Sequence, residues 1–339
     1  MELLLSNYQP AKFSNRTTPK VWLDNLSKAE QIRIATGYIS SASLIELKKM
    51  VEVNEKPRVE MLIGMHYFDG FTKQQYDSAL ALNETLKEQN RGVVYLSNAM
   101  RFHGKLYSFN DERQCFGAMV GSSNLSSLFA TYKIYEADCF FDGDNAKTID
   151  KSIRDLFGKL GKPITDFQID SFIQINDLLE NHYGVSKVSH EELTKILTTR
   201  TDVTFDIPMK TEAKSNLNCF FGKGRVNQRG FEMPRPWYEV EIIVPVSITR
   251  LPNYPANRTF DVVTNDGWRF SCETNGQNSK NLRSQNDLTI LGKWIKGKLE
   301  QSGSLSLATP VTENVLSKYG ANTMKLSATT DPNLWLIEF

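Results

Sequence analysis

"RFHGKLYSF", residues 101–109, decides how the first half of the chain is read. The segment alternates like a strand, and in a strand residues two apart face the same side. His103 and Lys105 therefore project together, one a potential nucleophile and the other a fixed positive charge. Only four histidines occur, His66, His103, His182 and His190. A lone histidine on a strand is more often structural than reactive, so the surroundings must decide. Downstream, "MVGSSNLS" (119–126) runs from an apolar strand into a Gly-Ser-Ser-Asn turn. Such a turn aims a hydroxyl, an amide and backbone N–H groups at an anion. Glu136 follows, at the start of another strand. "GSSN" alone is an ordinary turn, but this order of groups, each at a strand end, fits phosphoryl transfer. Lys105 and Asn124 can neutralise the non-bridging oxygens of a phosphodiester without a metal. His103 can attack phosphorus and split one displacement into two, and Glu136 can orient its imidazole.

The neighbouring elements alternate. "IRIATGYIS" (32–40) and "RVEMLIGM" (58–65) read as strands. "SASLIELKKMVE" (41–52) carries Leu44, Leu47 and Val51 at helical spacing, and "TKQQYDSALALNETLKEQN" (72–90) is a second helix. "GVVYLSN", "KLYSFN", "RQCFGAMVG" and "YEADCFFDG" follow as strands in quick succession. The pattern predicts an α/β domain with a mixed sheet and flanking helices over residues 1–160. Residues 144–200 read as helical, with capping-box strings "TDFQ" (165–168) and "SHEE" (189–192), and 161–200 as a helical linker region. From 201 to 339 the signals are all-β: "VTFDIP", "WYEVEIIVP", "TFDVVT", "WRFSCET", "SLSLATPV", "TMKLSAT" and "LWLIEF". One amphipathic helix, "LTILGKWIKGKLEQ" (288–301), interrupts them, and a barrel-like domain is expected.

Composition narrows the function classes. The 339 residues suffice for two cores, and the net charge of +1 means that any nucleic-acid surface is a local patch. The scattered cysteines Cys115, Cys139, Cys219 and Cys272 make no C-x-x-C pair, which argues against a zinc site or a disulfide framework. "MELLLSNYQP" lacks the flanks of a signal peptide, and no stretch approaches the roughly 18 apolar residues of a membrane span. The expectation is a cytoplasmic protein with no membrane association.

Two polar loops stand out in the second half. "FFGKGRVNQRGFEMPRPWYEV" (220–240) holds Lys223, Arg225, Asn227, Gln228 and Arg229 among glycines. "TNGQNSKNLRSQND" (274–287) repeats that chemistry with Asn275, Gln277, Asn278, Lys280 and Arg283. Arg pairs with guanine, Asn and Gln with adenine, and Lys contacts phosphate. One such loop is usually just a solvated hairpin; two on one β domain, joined to a phosphodiesterase candidate, favour duplex DNA.

"HGKL" followed by "GSSN" resembles the signature of the phospholipase D superfamily. The resemblance implies that His103 is the nucleophile, Lys105, Asn124 and Ser122 contact phosphate, and Glu136 steadies the histidine. The usual family aspartate, five residues after the lysine, is Asn110 here with Asp111 beside it, and the gap to the Gly-Ser turn is longer. Both departures resemble the nuclease branch. Members build one centre from two such motifs, the second histidine acting as general acid. None of the other three histidines has a Lys two residues on, so a homodimer with its active site on the two-fold axis is implied.

The second half is similar to B3-like DNA-recognition domains, which grip the major groove with an N-arm and a C-arm. The whole chain thus resembles restriction endonucleases of the NgoFVII type. That resemblance implies specific cleavage of double-stranded DNA with no metal or other cofactor in the chemistry, alongside a cognate methyltransferase. Any ATP and Mg²⁺ requirement would belong to a separate ATPase/helicase subunit, because "GKGRVNQRG" and "LGKWIKGK" both fail the phosphate-loop pattern. Two other readings stay open: a phosphodiesterase of the same fold acting on lipid or small phosphodiesters, and an inactive DNA-binding protein.

Overall fold

Strands buried on both faces carry apolar residues with both parities, and the centre of the first sheet does so. In "QIRIAT", Ile32 and Ile34 enter the main core while Ala35 faces the opposite side. In "RVEMLI", Val59, Met61 and Ile63 point one way and Leu62 the other. A computed structural model of the protein describes residues 1–13, 15–129, 134–174, 178–285 and 287–339. The chain divides into two units, Met1–Ile175 with Arg225–Pro234, and Asn176–Gly224 with Arg235–Phe339.

The first unit runs β1 (Glu2–Leu5), α1 (Thr18–Leu26), β2 (Gln31–Thr36), α2 (Ser41–Val53), β3 (Arg58–Ile63), α3 (His66–Asp69) and α4 (Lys73–Glu88). It continues with β4 (Gly92–Ser97), β5 (Lys105–Asn110), β6 (Cys115–Gly121), α5 (Leu125–Phe129), β7 (Ala137–Phe141), α6 (Gly143–Leu160) and β8 (Gly161–Pro163). The strand order is β1-β7-β6-β5-β2-β3-β4-β8. β2, β3 and β4 are parallel, joined by crossovers through α2 and α4. β5, β6 and β7 form an antiparallel meander that meets the parallel half at β2. Capping boxes at Ser40/Ser43 and Thr72/Gln75 start α2 and α4. Residues of α1, α2 and α4 pack on one sheet face, and Ile153 and Phe157 of α6 cover the other. The expected mixed sheet with flanking helices is what forms.

The helix expected at "TDFQ" does not form. A single 3-10 turn, Ile164–Asp166, gives way to extended backbone at Phe167. Phe167, Ile169 and Phe172 lie against the core, and the Tyr76 hydroxyl donates to the Phe167 carbonyl at 2.9 Å. These tertiary contacts outweigh a capping string.

The second unit holds β9 (Val185–Lys187), α7 (His190–Thr198) and β10 (Arg200–Pro208). The short hairpin β11 (Arg225–Val226) and β12 (Glu232–Met233) counts with the first unit. The second unit resumes with β13 (Ile242–Ile243), α8 (Val246–Thr249), β14 (Thr259–Thr264), β15 (Trp268–Asn275), β16 (Asn281–Ser284), α9 (Ile290–Gln301), α10 (Glu313–Tyr319), β17 (Thr323–Thr329) and β18 (Leu334–Glu338). Its sheet follows the order β10-β17-β18-β14-β15-β16-β13, a curled half-barrel, with β9 also pairing to β15. Ser189 caps α7 as the "SHEE" string predicts.

Two expected strands are largely absent. Of "WYEVEIIVP" only Ile242–Ile243 pairs. Trp237 and Tyr238 are instead buried by donating to the two carboxylate oxygens of Glu300, each at 2.9 Å. "SLSLATPV" makes no strand: the Asn218 amide takes both the N–H of Val311 (2.8 Å) and its carbonyl (2.9 Å), replacing a ladder.

Candidate active site

The ends of four strands meet at one end of the first sheet, at the seam between its parallel and antiparallel halves. Thr36 ends β2 and pairs with Lys105, which begins β5. β6 ends at Gly121 beside Asp138 of β7, so the Gly-Ser-Ser-Asn turn and Glu136 reach the same edge.

His103 precedes β5 instead of lying within it, so strand alternation is not what joins it to Lys105. The lysine folds back: its Nζ donates to the His103 carbonyl at 2.7 Å and lies 3.0 Å from His103 Nε2. The imidazole is exposed while Lys105 is only 7% exposed. Burial pushes the lysine pKa down, and the Glu136 carboxylate opposes that shift. An ammonium has three N–H donors, so one remains for an anion.

Asn124 is oriented without ambiguity. The backbone N–H of Tyr38 donates to its Oδ1 at 3.2 Å, and the Thr36 hydroxyl lies 3.3 Å from the same oxygen. With the carbonyl oxygen occupied, Nδ2 has no hydrogen-bond partner among the described residues. Gly37 lies between these residues, and a Cβ there would come within 3.1 Å of the His103 ring.

The serines divide the work. Ser122 is exposed and its hydroxyl donates to Glu136 Oε2; Ser127 donates to Oε1 at 2.8 Å. Among the described residues no hydrogen bond joins Glu136 to His103. Ser123 is the anchor of the turn: its N–H and hydroxyl donate to Asp138 at 3.0 and 2.6 Å, and Thr18 donates to the same carboxylate at 2.6 Å. The Tyr107 hydroxyl donates to the Ser123 carbonyl at 2.7 Å. Gly121 admits this approach, since a Cβ there would fall 2.1 Å from Asp138 Oδ1. Thr36, Tyr38, Ser123 and Asp138 thus support the site; Ser123 sits within the Gly-Ser-Ser-Asn string, and no local string marks the other three.

Asn110 and Asp111 lie at the other end of β5. Asn110 donates to Asp150 at 3.2 Å, in a network with Ser108 (2.7 Å) and the Arg33 guanidinium (2.7 Å). Asp111 caps a turn by accepting from the N–H groups of Arg113 and Gln114. Among the described residues no group of three or more His, Cys, Asp and Glu side chains is arranged to hold a metal ion.

The ten loop residues separate by environment. Lys223, Arg225, Gln228, Arg229, Gln277 and Asn278 are exposed. Asn227 holds its own turn, its Oδ1 accepting from the N–H groups of Arg229 (2.9 Å) and Phe231 (3.1 Å). Asn275 and Arg283 both donate to Glu273, at 3.0 and 2.7 Å, and Lys280 is half-buried. The hairpin is fixed within its unit by Asn54, whose amide exchanges two 2.9 Å bonds with the backbone of Glu232, and by buried Phe231. No described helix is long and apolar enough to cross a membrane.

Comparison with curated proteins gives no match. Among solved structures, the chain is similar to the phospholipase D family member Nuc from Salmonella typhimurium, at 15% identity and TM-score 0.33, covering 48% of this chain and 96% of that one. It is similar to NucT from Helicobacter pylori, at 15% identity and TM-score 0.31, covering 48% and 100%. Phosphatidylserine synthase from Haemophilus influenzae Rd KW20 matches at 13% identity and TM-score 0.35, covering 49% and 41%. Two family models match in order, the NgoFVII restriction endonuclease N-terminal PLD domain over residues 17–161 and the NgoFVII C-terminal B3-like DNA-binding domain over residues 195–330. With both halves of that architecture present, the chain belongs to the NgoFVII family of restriction endonucleases, DNA endonucleases that join a phospholipase-D-type domain to a B3-like DNA-binding domain.

Proposed function

We propose that the chain cuts duplex DNA at specific sites through a covalent phosphohistidine, with no metal ion in the bond-breaking step. The observation that carries this reading is the exposed His103 imidazole, 3.0 Å from a buried lysine and linked through Tyr38 to an asparagine whose carbonyl oxygen is already occupied. A bound phosphodiester draws the Lys105 ammonium and Asn124 Nδ2 onto its non-bridging oxygens, which frees the Nε2 lone pair of His103. Nε2 attacks phosphorus, the P–N bond forms and the P–O bond to the leaving oxygen breaks. In a homodimer the second copy's His103, protonated, gives its proton to that oxygen. The same imidazole then takes a proton from water, which attacks phosphorus, breaks the P–N bond and releases a phosphomonoester. Ser122 and Ser127 hold the Glu136 carboxylate, whose field keeps Lys105 charged.

The exposed loop side chains, Lys223, Arg225, Gln228, Arg229, Gln277 and Asn278, are the ones assigned to DNA, and Asn227, Asn275 and Arg283 shape the loops that present them. A separate ATPase/helicase subunit supplies any ATP dependence, and a methyltransferase protects the recognition site. The deciding experiment is plasmid cleavage in EDTA. Wild type is expected to cut and His103→Ala to lose cutting by several orders of magnitude. Acid quenching should trap DNA on the protein through an acid-labile bond. Cutting that needs Mg²⁺ in the absence of ATP sinks the mechanism.

A further inference from the structure

Tyr38 touches both groups that must be aligned at the phosphorus. Its N–H fixes the Asn124 carbonyl oxygen at 3.2 Å. Its ring meets the His103 imidazole edge to face, with centroids 5.6 Å apart and planes at 74°. The hydroxyl at the far end of the ring donates to Asp69 Oδ2 at 2.8 Å, and Asp69 Oδ1 accepts from Arg101 Nε at 3.0 Å. Behind the ring stands His66, edge to face at 5.5 Å and 89°. His66 is itself immobilised: Ile39 N–H donates to its Nε2 at 3.2 Å, its Nδ1 lies 3.0 Å from the Gly70 carbonyl, and it stacks on Phe71 at 4.8 Å. That pattern places the ring proton on Nδ1 and leaves His66 a neutral wall, in keeping with a pKa lowered by burial. Tyr38 is therefore pinned at both ends, by the turn after β2 and by Asp69. The exposed imidazole beside it, beyond its contact with Lys105, has two torsions to restrain.

We propose that Tyr38 is a positioning residue, whose ring, braced by Asp69 and Arg101, holds the His103 imidazole in line for attack on phosphorus. This rests on the reading of His103 as nucleophile. A misplacement of about 1 Å costs on the order of a hundredfold in rate while leaving binding intact. A purely structural ring would instead alter melting without separating kcat from KM.

The test is hydrolysis of bis(p-nitrophenyl) phosphate by the full-length protein in EDTA. Tyr38→Ala, which retains the backbone N–H to Asn124, is expected to lower kcat by about ten- to a hundredfold with KM within about twofold. Tyr38→Phe retains the ring and should restore kcat to within about fivefold of wild type. If Tyr38→Ala melts below the assay temperature, Tyr38→Leu, with apolar bulk but no ring, reads the same split. A kcat unchanged in the ring-less variant overturns the proposal, as does a loss in Tyr38→Phe equal to that in Tyr38→Ala, or a loss carried wholly by KM. His103→Ala run alongside separates the two claims. If it retains the wild-type rate, the nucleophile assignment fails; if it is inactive while Tyr38→Ala matches wild type, only the positioning role fails.

Discussion

At the scale of single residues, the site asks for two opposite environments within a few ångströms. His103 must be reachable by substrate, while Lys105 gains strength from being out of water. Burial has a measurable consequence, because it disfavours the charged ammonium and lowers its pKa from 10.5. The proposed mechanism requires the charged form, so the alkaline limb of kcat/KM should fall below the pH expected of an exposed lysine. Glu136→Gln removes the opposing field and should move that limb further down; a limb that stays in place would remove the electrostatic role of Glu136. Asn124→Asp offers a second check. It retains an acceptor for the Tyr38 N–H but replaces the Nδ2 donors with an oxygen, so kcat should drop by about 10²–10³-fold, as for loss of one oxyanion donor. His103, Lys105 and Asn124 were legible in sequence because reactive types recur at short, ordered spacing. Tyr38 and Asp138 were not, because what makes them matter is a partner about eighty to a hundred and twenty residues away.

Among the elements, strands announced themselves where both faces are buried, as in "IRIAT" and "RVEMLI". The two missing strands share one cause: a side chain supplied the partner that backbone pairing was expected to supply. Asn218 does so for Val311, and Lys296, whose Nζ donates to the Trp237 carbonyl at 2.6 Å, does so for Trp237. Neither partner lies near its target in sequence. Asn54 plays the same part for the β11–β12 hairpin, and there the effect can be weighed. Asn54→Ala leaves the Glu232 N–H and carbonyl without their 2.9 Å partners. Partly buried groups so stranded cost about 1–3 kcal/mol. Hydrogen exchange at the Glu232 amide should then accelerate by roughly five- to a hundred-and-fiftyfold, with the amides in the first half of α2 unchanged, since Asn54 also donates to the Met50 carbonyl in its last turn at 2.8 Å. Equal protection in the variant would mean that Phe231 alone secures the hairpin.

For the whole molecule, the telling number is one. The chain carries a single His-x-Lys with a single Gly-Ser-x-Asn turn, and the proposed reaction needs both a nucleophile and a general acid. A near-neutral net charge of +1 leaves any DNA affinity to local patches, and the contacts proposed above, Arg225 and Arg229 among them, lie in loops that every copy carries. A centre shared across a two-fold axis satisfies the chemistry with one gene product, and it makes a quantitative claim about mixtures. If wild type and His103→Ala are co-expressed in equal amounts and pair at random, half of the dimers carry one histidine and a quarter carry two. Cleavage per chain should fall to roughly a quarter of the wild-type value, because a mixed dimer lacks either its nucleophile or its acid. Chains that work singly would retain about half. Sedimentation of the same samples fixes the assembly state, and a monomer with full activity would remove both the shared centre and the second His103 as proton donor.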